Sequence, residues 1–154
     1  MPAAPDGSVL GDDCKLYYSA TLGGAGTLTE IPQVIDVTAT SERRSVESNC
    51  RGDAEVMEHT GKPKHSFTAT LLVKRGSPGT AYAALRVAYM AGTVHHYAVS
   101  SGTITDTGNY VMRMEGRIKR WEESQPDNDT VKVSIEIAKA ADNSYATAWS
   151  VVTS

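Results

Sequence analysis

Apolar and polar residues alternate most regularly between Tyr110 and Ile137. Tyr110, Met112, Met114 and Ile118 share one parity, while Val111, Arg113, Glu115, Arg117 and Lys119 share the other, which is the period of a strand with one buried face. The stretch from Glu122 to Asp129 is polar and holds Pro126, so it reads as a turn. Val131, Val133, Ile135 and Ile137 then point inward, with Thr130, Lys132, Ser134 and Glu136 outward. The two runs predict an antiparallel hairpin with one apolar and one charged face.

The same reading extends along the rest of the chain. Cys14 to Thr21 predicts a short strand with Leu16, Tyr18 and Ala20 opposite Lys15, Tyr17 and Ser19. A second strand begins at Glu30, with Ile35, Val37 and Ala39 on one side and Val34, Asp36, Thr38 and Thr40 on the other. His65 to Lys74 places Phe67, Ala69, Leu71 and Val73 inward and Ser66, Thr68 and Thr70 outward. Between these two, Ser41 to Lys64 has no apolar periodicity and balanced charge, and reads as the protruding tip of a hairpin suited to contact another copy of the chain. Ser77 as N-cap and Pro78 at the first helical position open a helix over about residues 78–91. Its stripe is Ala81, Leu85, Ala88 and Tyr89, and Gly92 is its stop. Val94 to Val99 and Asn143 to Val152 supply the remaining strands. Residues 1–13 are rich in Pro, Gly and Asp and predict a mobile N-terminal arm. The expected fold is mainly β: one domain over 1–154, a β-sandwich or partial barrel with one flanking α-helix and a long hairpin tip at 41–64.

Composition narrows the function more than it defines it. A formal net charge of −3 argues against a sequence-independent nucleic-acid binder. The opening residues lack the pattern of an export signal, and no run is apolar enough to cross a bilayer, so a soluble protein is expected. Cys14 and Cys50 have no metal or redox spacing; two idle thiols in a reducing compartment are expected, with a single disulfide as the alternative. None of His59, His65, His95 and His96 lies at a metal-ligating spacing, and adjacent strand positions send His95 and His96 to opposite faces. The glycines from Gly23 to Gly26 lack the Lys-Ser/Thr of a phosphate loop and read as a turn, as does Asp127-Asn128-Asp129. The charged positions Arg113, Glu115, Arg117, Lys119, Lys132 and Glu136 read first as cross-strand ion pairs and only second as an active-site floor. No catalytic arrangement emerges, so neither an enzyme nor a cofactor or metal is expected. A small β-class enzyme and a monomeric β-sandwich ligand- or glycan-binding module are the competing readings.

The order of elements carries more information. A mobile arm precedes a strand opening with Glu30-Ile31-Pro32-Gln33-Val34-Ile35-Asp36-Val37-Thr38; a long charged tip, one helix and a closing hairpin around Gly116 and Pro126 follow. With Tyr110 to Gly116 followed by Gln125-Pro126-Asp127, this order resembles the tail tube (major tail) proteins of tailed bacteriophages, and more distantly the tube proteins of contractile injection systems. The resemblance implies a virion protein, assembled in the host cytoplasm, of which six copies form a ring. Rings would stack into a tube through which DNA passes without specific binding, joined by other tail proteins such as the tape measure, tip or baseplate, and terminator. It implies no cofactor and no membrane insertion. Asp36, Thr38, Thr68, Thr70, Arg113, Glu115, Arg117, Lys132 and Glu136 would face the lumen, their mixed charge on a net negative protein letting phosphates slide. Glu42, Arg43, Arg44, Glu47, Arg51, Asp53, Glu55, Glu58, Lys62 and Lys64 would reach the next ring.

Overall fold

The structure is a computed structural model and describes residues 14–23, 26–48, 51–52, 54–125, 130–140 and 145–153. The expected arm, Cys50, Asp53 and the Asp127–Asp129 turn lie outside the described residues. In chain order the elements are β1 (Lys15–Ser19), β2 (Thr29–Glu30), β3 (Val34–Ser48), β4 (Met57–Lys74), α1 (Thr80–Ala91), β5 (His95–Ser100), β6 (Tyr110–Ser124), β7 (Thr130–Lys139) and β8 (Ala148–Val151). All pairings are antiparallel, in the order β2-β1-β5-β6-β7-β4-β3, with β8 on β6. The fold is therefore mainly β with one helix among the described residues, and the partial barrel of the expectation takes the form of one sheet that does not close.

Strand β6 is the pivot. It pairs with β5 from Val111 to Gly116, with β8 from Tyr110 to Arg113, and with β7 from Gly116 onward. Gly116 faces His95 on one side and Lys139 on the other, and a Cβ there would run into the carbonyl oxygen of Ala138. Only glycine lets the backbones approach this closely.

One face of the sheet carries the main core. Phe67, Leu71, Met112, Met114, Ile135 and Ile137 are fully buried, and alternation within β4, β6 and β7 puts them there. Ala81, Leu85 and Ala88 of α1 close over β6. Expected and observed helices agree on that stripe but differ at the start. The N-cap is Gly79 (φ 85°), with no side-chain cap from Ser77. The helix C-terminus has the reciprocal bonds of a left-handed glycine cap: the Thr93 N–H donates to the Ala88 carbonyl (3.0 Å) and that of Gly92 (φ 66°) to Tyr89 (3.3 Å).

Three inward-outward assignments change. The strand expected from Glu30 is interrupted by a turn at 31–33 that buries Ile31. A β-bulge between Val34 and Asp36 then shifts the parity, so Val34, Val37 and Ala39 pack on the core while Ile35 is 52% exposed. At β1 both faces are covered: Leu16 joins the main core, whereas Tyr17 packs with Ala98 and Val111 in a second cluster on the opposite face, under Leu28, Ile104 and Val152. Ser19, on the side of Tyr17, is buried as well. Tyr110 has the parity of Met112 and was expected inward, but it sits beyond the edge of the core and is 60% exposed.

Candidate assembly surfaces

On the side of β3, β4, β7 and the second half of β6 that faces away from the main core, the outward parity builds a continuous polar grid. Asp36 stands opposite Thr70, Thr70 opposite Ser134, and Ser134 opposite Glu122. One row along, Thr38 meets Thr68, Thr68 meets Glu136, and Glu136 meets Arg120. A bulge between Ile118 and Arg120 lets Lys119 bond the Glu136 carboxylate at 2.8 Å. Lys132, opposite Leu72 and Ser124, borders the grid. The structure thus brings together Asp36, Thr38, Thr68, Thr70, Lys132 and Glu136. Arg117 is at its margin, where its Nε donates to the Gly92 carbonyl (2.7 Å).

Arg113 and Glu115 do not join them. They lie on the first half of β6, whose face away from the main core is roofed by other parts of the chain. Glu115 is 2% exposed; its Oε2 accepts from the Gly23 N–H (2.8 Å) and lies 3.4 Å from His96 Nδ1. The Tyr145 ring stands edge-on to His96 at 5.1 Å. Burial holds the His96 pKa below its usual 6.5, against the upward pull of the Glu115 carboxylate, and Arg113 adds to the lowering. Glu115 is therefore an interior residue, a correction to its expected place on an open face. Alternation gave its side correctly but carried no information about the cover.

The segment from Ser41 to Lys64 is largely a hydrogen-bonded ribbon. The β3–β4 ladder continues to Ser48 opposite Met57, with Glu42 opposite Lys64 and a bulge between Arg43 and Ser45. Arg43 bonds the Gly61 carbonyl (3.1 Å), and the Ser41 and Ser48 hydroxyls pair with His65 (2.9 Å) and His59 (3.1 Å). Arg44, Glu47, Arg51, Glu55, Glu58 and Lys62 are exposed. Sequence reasoning passed over three apolar residues at the far end: Val46, Val56 and Met57, each 56–57% exposed. Their signal was isolated hydrophobes in a stretch otherwise fit for water.

A second exposed apolar surface lies on α1. Val87 and Met90 are 68% and 74% exposed and, with Pro78, Tyr82, Ala83 and Ala91, line a shallow groove bordered by Arg86. The groove is held rigidly from beneath. Trp121 lies 5.7 Å from the rings of both Tyr82 and Tyr89, and Glu123 accepts from Tyr82 Oη (2.7 Å), Arg86 (2.6 Å) and Trp121 Nε1 (2.9 Å). Those donors, Trp121 first, hold the Glu123 carboxyl below its usual pKa. Among the described residues no three His, Cys, Asp or Glu side chains converge as metal ligands.

No family model matches the chain, and no characterised protein matches it by sequence. Solved structures do match by shape. The SPP1 tail tube superposes with a TM-score of 0.67 at 18% identity, covering 84% of this chain and 74% of that one. The tail of an empty gene transfer agent particle, refined helically with C6 symmetry, gives 0.65 at 16% identity over 94% of this chain and 98% of that one. A chain of the anti-feeding prophage baseplate, six-fold symmetrised, gives 0.57 at 8% identity over 99% and 97%. The protein therefore has the fold found in tail tubes and related injection machines.

Proposed function

We propose that this chain is a structural, non-enzymatic virion protein whose copies close into hexameric rings and stack as a tail tube, the conduit for DNA delivery into a host cell. The observation that carries the reading is the near full-length match to a tail chain in a C6-symmetric particle. Two features of this chain support it. Among the described residues strand β3 pairs only with β4, which leaves its other edge open over 15 residues, and β2 at the other end of the sheet spans only two. Open edges of that length invite pairing, and a closed ring satisfies them without aggregation. The grid of Asp36, Thr38, Thr68, Thr70, Lys132 and Glu136, with Arg117 at its margin, would line the lumen, where mixed charge on a net negative protein holds no phosphate. The ribbon from Glu42 to Lys64 would reach the next ring. In this reading the chain assembles in the host cytoplasm with itself and other tail components: tape measure, tip or baseplate, and terminator.

Electron microscopy of the purified protein over a concentration series tests the reading. Six-fold rings or tubes are expected, with stacking lost when Glu42 to Lys62 is deleted. A chain that stays monomeric at its highest soluble concentration overturns it. One feature favours the alternative of a monomeric glycan-binding module: Tyr110 and Trp149, both 60% exposed, share a face across β6 and β8 with Val151 and make a platform on which a sugar ring could stack. A glycan array separates the two readings.

A further inference from the structure

We infer that the acidic end of the β3–β4 ribbon docks into a lysine-lined cleft at the base of the same ribbon in a second copy of the chain, and that this ion-paired contact joins successive rings. The inference rests on the tube reading and names the surface that receives the ribbon. Strand pairing sets Glu47 directly opposite Glu58, both exposed, on the side of the ribbon away from Val46 and Met57. Like charges so placed repel and destabilise an isolated ribbon. Among the described residues neither carboxylate has an ion-pair partner. Glu55 adds a further negative charge to this end, and Arg51 a single positive one.

The base of the ribbon has the opposite sign. Lys62, Pro63, Lys64 and His65 of β4 line a cleft of about 440 Å³, with Ala138, Lys139 and Ala140 at the end of β7 and just beyond it. Lys62 and Lys64 are exposed and, among the described residues, make no ion pair, although Glu42 stands across the ladder from Lys64. Lys139 Nζ donates to the Tyr145 carbonyl, which holds a third cation in the wall without neutralising it. Pro63 and the two alanines put apolar surface between these amines, and walls of low polarity strengthen an ion pair formed there.

One chain cannot bring the two together. Glu58 and Lys64 belong to the same strand, and at strand rise they stand roughly 20 Å apart along it. The ladder to β3 keeps that strand extended between them. A second copy is free of this constraint. When the ribbon end of each copy meets the ribbon base of the next, the contact is heterologous and propagates as an open filament. A single exposed ion pair is weak, but its repetition around a ring adds up to a firm joint.

Charge reversal tests the contact in the full chain. Glu47→Lys with Glu58→Lys reverses the end, and Lys62→Glu with Lys64→Glu reverses the base. All four side chains are exposed, so circular dichroism and Tm are expected to stay unchanged. For each reversed pair the concentration at which tubes appear should rise about tenfold or more. A chain with all four substitutions restores opposite signs at end and base, and should assemble like the unaltered protein. In parallel, a carbodiimide condenses a carboxylate and an amine in contact into an amide, taking up the water released. Applied to tubes of mixed isotope-labelled and unlabelled unaltered chains, it should join Glu47 or Glu58 of one copy to Lys62 or Lys64 of another. Normal tubes from either reversed pair, no rescue in the fourfold variant, or tubes without that crosslink overturn the inference and leave the tube reading standing. No assembly by the unaltered chain overturns both.

Discussion

The buried pair of His96 and Glu115 shows how little parity says about what covers a side chain. Alternation on β6 assigns Glu115 to a charged face, and its side chain does point that way. The Gly23 amide and the Tyr145 ring close over that side, however, and they come from parts of the chain far away in sequence. No local pattern encodes a roof. The pair has a consequence for pH. Burial lowers the pKa of His95 and of His96, so the unfolded chain takes up protons before the native one as pH falls below 6.5. Stability is therefore expected to fall on acidification from about pH 7.5 to pH 5, by up to about 1.4 kcal/mol per pH unit for each histidine. Urea midpoints across that range should decline, and His96→Asn should flatten the decline. Gly116 is a second position decided by a distant neighbour. Gly116→Ala forces a methyl group onto the Ala138 carbonyl and is expected to cost about 1–3 kcal/mol or more, read as a lower urea midpoint.

Among elements, those with one dry face were legible. Phe67 to Val73 and Val131 to Ile137 alternate because water wets one side and the core dries the other. The α1 stripe obeys the same rule at helical spacing. The ribbon was not legible, because both of its sides are solvated in the single chain and nothing selects an alternation. Bulges defeat the pattern differently, by changing its phase. The one between Ile118 and Arg120 turns Trp121 toward α1, and β6 continues to Ser124 in place of the turn its polar residues suggested. The bulge at Ile35 has a direct test. Ile35→Thr is expected to change stability by no more than about 0.5 kcal/mol, as at ordinary surface sites. Leu71→Ala, at a fully buried position of the facing strand, should cost about 2–5 kcal/mol. Equal losses in the two variants would return Ile35 to the core.

At the scale of the whole molecule, element order proved more informative than any motif. Arm, strand, ribbon, helix and closing hairpin pointed to the tail-tube fold, and the superpositions bear that fold out at identities no higher than 18%. What the order did not reveal was the single open sheet or the apolar surfaces at its two ends, since both depend on how distant strands are brought together.

The sheet order also dictates a sequence of events in time. The β3–β4 and β6–β7 hairpins join neighbours in the chain, whereas Leu16 of β1 must find Val99 of β5 across most of the intervening domain. Closing that loop has a large entropic cost and brings little reward until β5 is already seated on β6. Docking of β1 is accordingly expected to be the last step, and Leu16→Ala should speed unfolding while leaving the refolding rate nearly unchanged in stopped-flow measurements. Until that step the β5 edge stands open, so a newly made chain passes through a form that could pair with the wrong neighbour. Docking of β1 covers that edge, so the exposure is ended from within the chain itself.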